Sequence, residues 1–257
     1  MAFRFGRGKP VIDPFELKKD KVLRGKRIVL VFHPVLFMKA KKLAENARPV
    51  KLSGWLFKSF MGTYRGEEVV VGLPFPCSPA AVAALEVLTA MGGRVFVVVG
   101  RVGAINPALR IGDVLIPTWG LREEGASFHY IPDKDYVPRP DVELAEILYK
   151  YAIELKGKRK IKVVKGGVWT TDAIFRETID KVVEYSSRGV YGVDMESTAL
   201  MTIAKYRSVR LAVIAAVSDE LRHNGTWVRG FNTRRLSLTE NLIVKAALNA
   251  ITEQEST

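Results

Sequence analysis

The chain is poor in sulfur ligands and histidine. It has one cysteine, Cys77, and three histidines in 257 residues. A single cysteine excludes an internal disulfide framework and fits a reducing compartment, so a cytoplasmic location is expected. No Cys/His cluster has zinc-ligand spacing, and no metal is expected. Long apolar runs are also missing. None approaches the length of a transmembrane helix, so no membrane partner is expected. The N-terminal MAFRFGRGKPVIDPF has basic residues but no apolar core of a signal peptide. Acidic residues are in deficit, with 27 Asp+Glu against 40 Lys+Arg and a net charge of +13. Such an excess favours anionic partners. The basic residues are nevertheless dispersed, with short clusters at Lys39-Lys41-Lys42 and Lys156-Lys158-Arg159-Lys160. No zinc finger, RNP-type aromatic motif or helix-turn-helix accompanies them, so they are read as a solvated surface and no nucleic-acid partner is expected.

What is present is a core. Apolar residues make up 48% of the chain, and the length suits one large α/β domain. The stretch VFVVVGRVGAINPALRIGDVLIP, Val95 to Pro117, organises the reading. Its β-branched run predicts a strand buried on both faces. The run is expected to break at Gly100, pass Gly103 and re-form at Asp113-Val114-Leu115-Ile116. Glycines there let backbone N–H groups approach a ligand, and ligands of open α/β sheets sit beyond the carboxyl ends of strands.

In order, residues 1–20 are expected to form a flexible arm, and residues 21–257 the domain. Strands are expected at Arg27–Phe32 and Glu67–Leu73, with a helix over Phe37–Ala47 between them. Ser78 as N-cap and Pro79 at the first helical position mark a helix running to Met91. Gly92 stops it. Strand, helix and the Val95 strand then form a parallel crossover unit. Trp119 to Pro140 reads as a long functional loop. Asp141 caps a helix to about Leu155. Strands follow at Ile161–Trp169, Val190–Glu196 and Leu211–Val217, with a helix over Ser197–Arg207. Leu221–Arg235 reads as a loop carrying Trp227 and Phe231. Leu238, Leu242, Ile243, Ala246, Ala247, Ala250 and Ile251 share one face of a last helix. The fold class is therefore α/β: a single-domain three-layer α/β/α sandwich around a twisted mixed β-sheet.

Chemistry-bearing residues gather at the expected strand ends: Gly100 to Asn106, Asp194-Met195-Glu196 and Ser218-Asp219. Carboxylates beside apolar strands need partners, because burying a lone charge is costly. Glu196 can accept hydrogen bonds from a vicinal diol. Asp219 can act as a general acid if its site raises its pKa. The same spacing fits helix caps and loop-side carboxylates, and both readings stand at this point. Cys77 and the methionines are read as core filler.

GAINPALRIGDVLIP, VDMESTAL and AAVSD together resemble the nucleoside phosphorylase family, which holds purine nucleoside phosphorylases, uridine phosphorylases and related nucleosidases. EEGASFHYIP and TTDAIFRET also look like segments of its uridine-phosphorylase-like branch. The resemblance spans about Arg27 to Ile251. It implies phosphate-dependent cleavage of the N-glycosidic bond of a purine or uridine-type nucleoside, giving free base and pentose 1-phosphate. It implies that Met195 packs on the sugar, that Glu196 takes the sugar hydroxyls and that Asp219 serves the leaving base. Thr170, Thr171, Ile174, Phe175 and Ser218 are implied near base and sugar. No cofactor is expected beyond inorganic phosphate as co-substrate, and a homo-oligomer, dimer or hexamer, is implied.

The chain also departs from the family pattern. The first phosphate motif, glycine-aspartate-proline-x-arginine, is replaced by Phe32-His33-Pro34-Val35-Leu36. The arginine before the central glycine is Val98, and Arg101 stands after it. Arg101, with Gly100 and His33, is accordingly expected to supply the phosphate site, since a guanidinium matches phosphate geometry. Hydrolysis by a nucleosidase and non-catalytic nucleoside binding are the alternatives. The uracil-binding glutamine-x-arginine pattern is not found after Phe175, nor the glutamate that nucleosidases carry after the first strand.

Overall fold

The computed structural model describes residues 5–6, 8–17 and 20–253. Of the arm expected over residues 1–20, residues 1–4, 7, 18 and 19 lie outside the described residues. The first element is a short helix, α1 (Pro14–Leu17), where the Phe15 ring lies 5.3 Å from Lys21 Nζ and 5.1 Å from the Arg207 guanidinium.

The strand β1 (Arg27–Val31) is buried throughout. The helix expected over Phe37–Ala47 is shifted: α2 spans Pro34–Leu43. His33 Nδ1 accepts the Val35 N–H and caps the helix, and Pro34 suits its first turn. Residues 45–47 leave the helix for an edge strand, β2 (Glu45–Pro49), and Asn46 has φ 52°. This strand and β3 (Phe57–Tyr64) were not anticipated. Then come β4 (Glu67–Pro74) and α3 (Ser78–Ala90). The expected cap is corrected here. Cys77, not Ser78, is the N-cap residue, because the Ser78 hydroxyl donates elsewhere, to the Met195 carbonyl at 2.6 Å.

The expected break at Gly100 is also corrected. The strand β5 runs unbroken from Val95 to Ala104. Parallel pairing with β9 (Arg210–Leu221) continues through Gly100 to Val102 and resumes at Gly103 after a register shift. The β9 ladder, which pairs Gly100 with Ala215, outweighs the weak strand preference of glycine. Next come β6 (Val114–Glu123), α4 (Val142–Lys156), β7 (Val163–Thr171), α5 (Ile179–Ser187), β8 (Val190–Asp194) and α6 (Ser197–Tyr206). Thus β6 takes the first residues of the expected Trp119–Pro140 loop. The Asp141 cap on α4 is as expected, with its carboxylate accepting the Leu144 N–H at 2.8 Å. After β9, the expected loop contains a short strand, β10 (Trp227–Arg229), and the chain closes with α7 (Arg234–Glu253).

The strands form one mixed sheet in the order β10-β9-β6-β7-β8-β5-β1-β4-β3-β2, with β9 also paired to β5. The strands β5, β9, β6, β7 and β8 therefore close into a ring, a barrel-like core inside the expected sandwich. Gly192 faces this interior, where Val102 and Leu115 lie 3.2 Å from the position of a Cβ. The helices α3 and α6 cover one side with Leu85, Leu88, Phe96, Val98, Leu200 and Ile203. The helices α2, α4 and α7 cover the other with Leu36, Val97, Val99, Leu148, Ile243 and Leu248. Each fully buried Leu or Ile contributes on the order of 2 kcal/mol. A third cluster of Trp169, Val182 and Val190 seats α5. Among the described residues, no helix is long and apolar enough to cross a membrane.

Candidate active site

The carboxyl ends of β5, β8 and β9 meet at one place. Gly103 pairs with Val193 of β8 and with Asp219 of β9. This register brings Met195-Glu196 and Ser218-Asp219 to the same edge, as expected. Packing is close at Gly103: Leu221 Cδ1 lies 2.7 Å and Asp219 Oδ2 3.3 Å from where a Cβ would stand. Gly100 differs, because nothing lies within 4 Å of its Cβ position. That residue faces open space.

The Glu196 side is tied to α3. Glu196 Oε1 accepts the Cys77 N–H at 2.7 Å. With the Ser78–Met195 bond, it fastens the N-terminus of α3 to that of α6. Asp194 holds the turn from within. It accepts the Thr170 hydroxyl at 2.6 Å, the Ser197 hydroxyl, and the Ser197 N–H at 3.3 Å. Burial pushes the Asp194 carboxyl up, against these hydrogen bonds. Burial, reinforced by Asp194, pushes Glu196 up to about 8, although the Cys77 N–H acts against it. Glu196 is thus largely protonated at neutral pH, able to donate to a sugar hydroxyl while accepting the Cys77 N–H. Cys77 contributes its backbone rather than its thiol, which burial, Glu196 and Asp172 push up. Its φ of 86° and ψ of 148° lie in a region natural to glycine, a strain of about 1–3 kcal/mol. Cys77 is therefore more than core filler, and the strain sits at the site.

The expected phosphate residues are divided by the structure. Arg101 Nη1 lies 2.9 Å from His33 Nε2, so these two are brought together. The Arg101 Nε also donates to Glu240 Oε1 at 2.8 Å, and Glu240, on α7, is only 2% exposed. Burial first, then the Arg101 charge, holds His33 below the usual histidine range, with Glu240 opposing. This cluster lies on the α2–α7 side of the sheet, whereas Glu196 and Cys77 lie at the ends of α6 and α3 on the other. Gly100 alone of the expected trio opens toward the α3–α6 side.

The opposite end of the site is built on β9 and the turn after β7. Asp219 accepts the Ser218 hydroxyl at 2.6 Å on Oδ1 and the Trp227 indole N–H at 2.8 Å on Oδ2. Thr171 is buried, and its hydroxyl accepts the Ala173 N–H at 3.2 Å. Asp172 receives the Gly125 N–H at 2.7 Å, tying the turn to the segment after β6. Ile174 is half exposed and Phe175 is 96% exposed. Glu177, beyond them, is half-buried and pushed up to about 7 by burial and by Asp219. Sequence reasoning missed Glu177 and the roles of Cys77 and Trp227. Their partners lie 42, 119 and 8 residues away. Among the described residues, no group of three or more His, Cys, Asp or Glu is placed to hold a metal ion.

The comparisons with known proteins agree with this fold. The profile of the Phosphorylase superfamily matches residues 26–249. A DeoD-type purine nucleoside phosphorylase of Bacillus cereus is 30% identical over 196 residues, 76% of this chain and 80% of its own. A DeoD-type purine nucleoside phosphorylase of Brevibacillus brevis is 30% identical over 164 residues, 63% of this chain and 68% of its own. Among solved structures, uridine phosphorylase of Vibrio fischeri superposes with a TM-score of 0.77 at 20% identity, covering 91% of this chain and 95% of that one. Purine nucleoside phosphorylase of Toxoplasma gondii in complex with immucillin-H also gives 0.77 at 20% identity, covering 88% and 90%. The chain belongs to the phosphorylase superfamily, a family of pentosyltransferases that act on nucleosides.

Proposed function

We propose that the protein is a nucleoside phosphorylase acting on a purine nucleoside. The carrying observation is one strand edge that joins a half-buried, titratable Glu196 to Asp219 through Gly103. Met195 and Glu196 hold the pentose, and Ser218 and Asp219 face the base, with Thr171, Ile174 and Phe175 beside it. The C1′–N9 bond breaks with its electron pair leaving on the base, which is protonated or hydrogen-bonded at N7. Positive charge grows on the sugar, and a phosphate oxygen adds to C1′. Phosphate enters the space beside Gly100. The homologues at 30% identity support a purine substrate, and Asp219 supports it chemically, as an acceptor or donor at N7. The homo-oligomer implied by the resemblance belongs to the same proposal, and a clean monomer by sedimentation would count against it.

A second reading, hydrolysis, is favoured by one observation. Arg101 is paired with buried Glu240, and Val98 stands where the family pattern has arginine. The test is incubation with inosine, adenosine, guanosine and uridine, with and without phosphate. Phosphate-dependent pentose 1-phosphate from the purine nucleosides is expected. Free ribose without phosphate would establish the second reading, and binding without turnover would reject both.

A further inference from the structure

The hairpin after β9 places a large aromatic side chain where it adds little to the core. Trp227 opens the three-residue strand β10 and is 56% exposed. The indole is nevertheless held. Its N–H donates to Asp219 Oδ2 at 2.8 Å. The Phe231 ring meets it edge-on with centroids 6.1 Å apart, and the Arg229 guanidinium lies 5.5 Å from its ring centroid. In the antiparallel ladder Trp227 stands opposite Leu221, and Arg229 stands opposite Asp219. Residues two apart share a face of a strand, so these four side chains lie on one face. Arg229 is the direct cross-strand neighbour of Asp219, yet the Asp219 carboxyl takes the indole N–H and the guanidinium lies over the indole. The hairpin is anchored on both sides of the tryptophan. The Arg222 N–H donates to the Thr226 carbonyl at 3.0 Å, and the Gly230 N–H donates to the Ser218 carbonyl at 2.9 Å. We propose that Trp227 is a positioning residue, whose indole N–H fixes the Asp219 carboxyl in the orientation that meets N7 of the leaving purine.

This rests on the purine-cleaving reading above. The Ser218 hydroxyl donates to Asp219 Oδ1 at 2.6 Å and Trp227 donates to Oδ2, so the two oxygens are tied to different strands, β9 and β10. A carboxyl held by one donor turns about its χ2 bond, because that torsion is broad. A second donor on the other oxygen stops the rotation. Each oxygen retains a further lone-pair position for the base. Oδ2 lies 3.3 Å from the Cβ position of Gly103, and Gly103 pairs with Val193, two residues before Met195. Fixing Oδ2 therefore fixes the base end of the site relative to its sugar end. Groups held in place before the reaction need no reorganisation during it. The rival assignment gives the same task to Arg229, acting on Asp219 by charge from the opposite strand, and it makes the reverse forecast for the variants below.

The experiment compares inosine with 7-methylguanosine, whose N7 carries a methyl group and whose base already bears a positive charge, so that it leaves without help at N7. Trp227→Phe keeps an aromatic ring on the hairpin and removes the N–H. It is expected to lower kcat for inosine about tenfold, with KM within about threefold of the wild type, because a misaligned group costs rate more than binding. With 7-methylguanosine its kcat/KM is expected to stay within about twofold of the wild type. Ser218→Ala frees the other oxygen and is expected to show the same selective loss. Arg229→Gln is expected to leave the ratio of the two substrates unchanged. Equal losses on both substrates in Trp227→Phe and Ser218→Ala, the mark of a merely structural role, would overturn the proposal. So would an unchanged kcat for inosine in Trp227→Phe, or a selective loss in Arg229→Gln instead. If the wild type cleaves no purine nucleoside, the functional reading fails and this proposal falls with it, and that failure shows on the wild type before any variant is measured.

Discussion

Glu196 shows how a side chain is made functional by the cost of its burial. Its ordinary pKa of 4.5 is raised to about 8 in the folded chain. A carboxyl raised on folding binds more protons folded than unfolded between those values. Its contribution to stability is complete below the unfolded pKa and is lost as pH rises through the folded one. Glu196→Gln keeps an acceptor for the Cys77 N–H but does not titrate. The melting temperature of this variant should therefore gain on the wild type between pH 5 and pH 9, read by scanning calorimetry; a constant gap would reject the assignment. Cys77 makes the complementary point. Cys77→Gly keeps the backbone donor and relieves the φ of 86°, so chemical denaturation should show a gain of about 1 kcal/mol. Neither role is written in the local sequence, because Cys77 meets Glu196 across 119 residues.

At the scale of elements, Arg101 is the instructive residue. From sequence it reads as a phosphate ligand. In the fold it is the cation that keeps Glu240 of α7 from being a buried lone charge. Lys39 of α2 supports it from 3.8 Å. Arg101→Ala should cost about 3 kcal/mol of stability in urea denaturation, because removing one partner strands the other. A normal stability with a sharply raised phosphate KM would return Arg101 to the phosphate site. Elements with strong local signals were legible: the apolar run of β5, the Asp141 cap of α4 and the apolar face of α7, of whose seven expected residues Leu238 alone stays exposed. Those that rest on distant partners were not. The edge strand β2 is mostly exposed and pairs with β3 only through tertiary contact. The helix α5 carries few apolar residues, and it is held by Val182 on a cluster around Trp169.

For the whole molecule, closure of β5, β9, β6, β7 and β8 into a ring sets the tolerances. Gly192 lines that ring with two neighbours 3.2 Å from a would-be Cβ. Gly192→Val should overpack it and cost about 2 kcal/mol, measured by denaturation. An unchanged midpoint would mean that the ring has room. The apolar pattern alone determined the α/β class, most of the buried strands and the motifs that mark the family, since these depend on short-range periodicity and on residue types in fixed order. Only the tertiary structure decided that β5 continues through Gly100, that Arg101 turns away from Glu196, and that Trp227 donates to Asp219. Those outcomes depend on which strands pair and which face each side chain takes, and pairing is an energy shared between residues far apart in the chain.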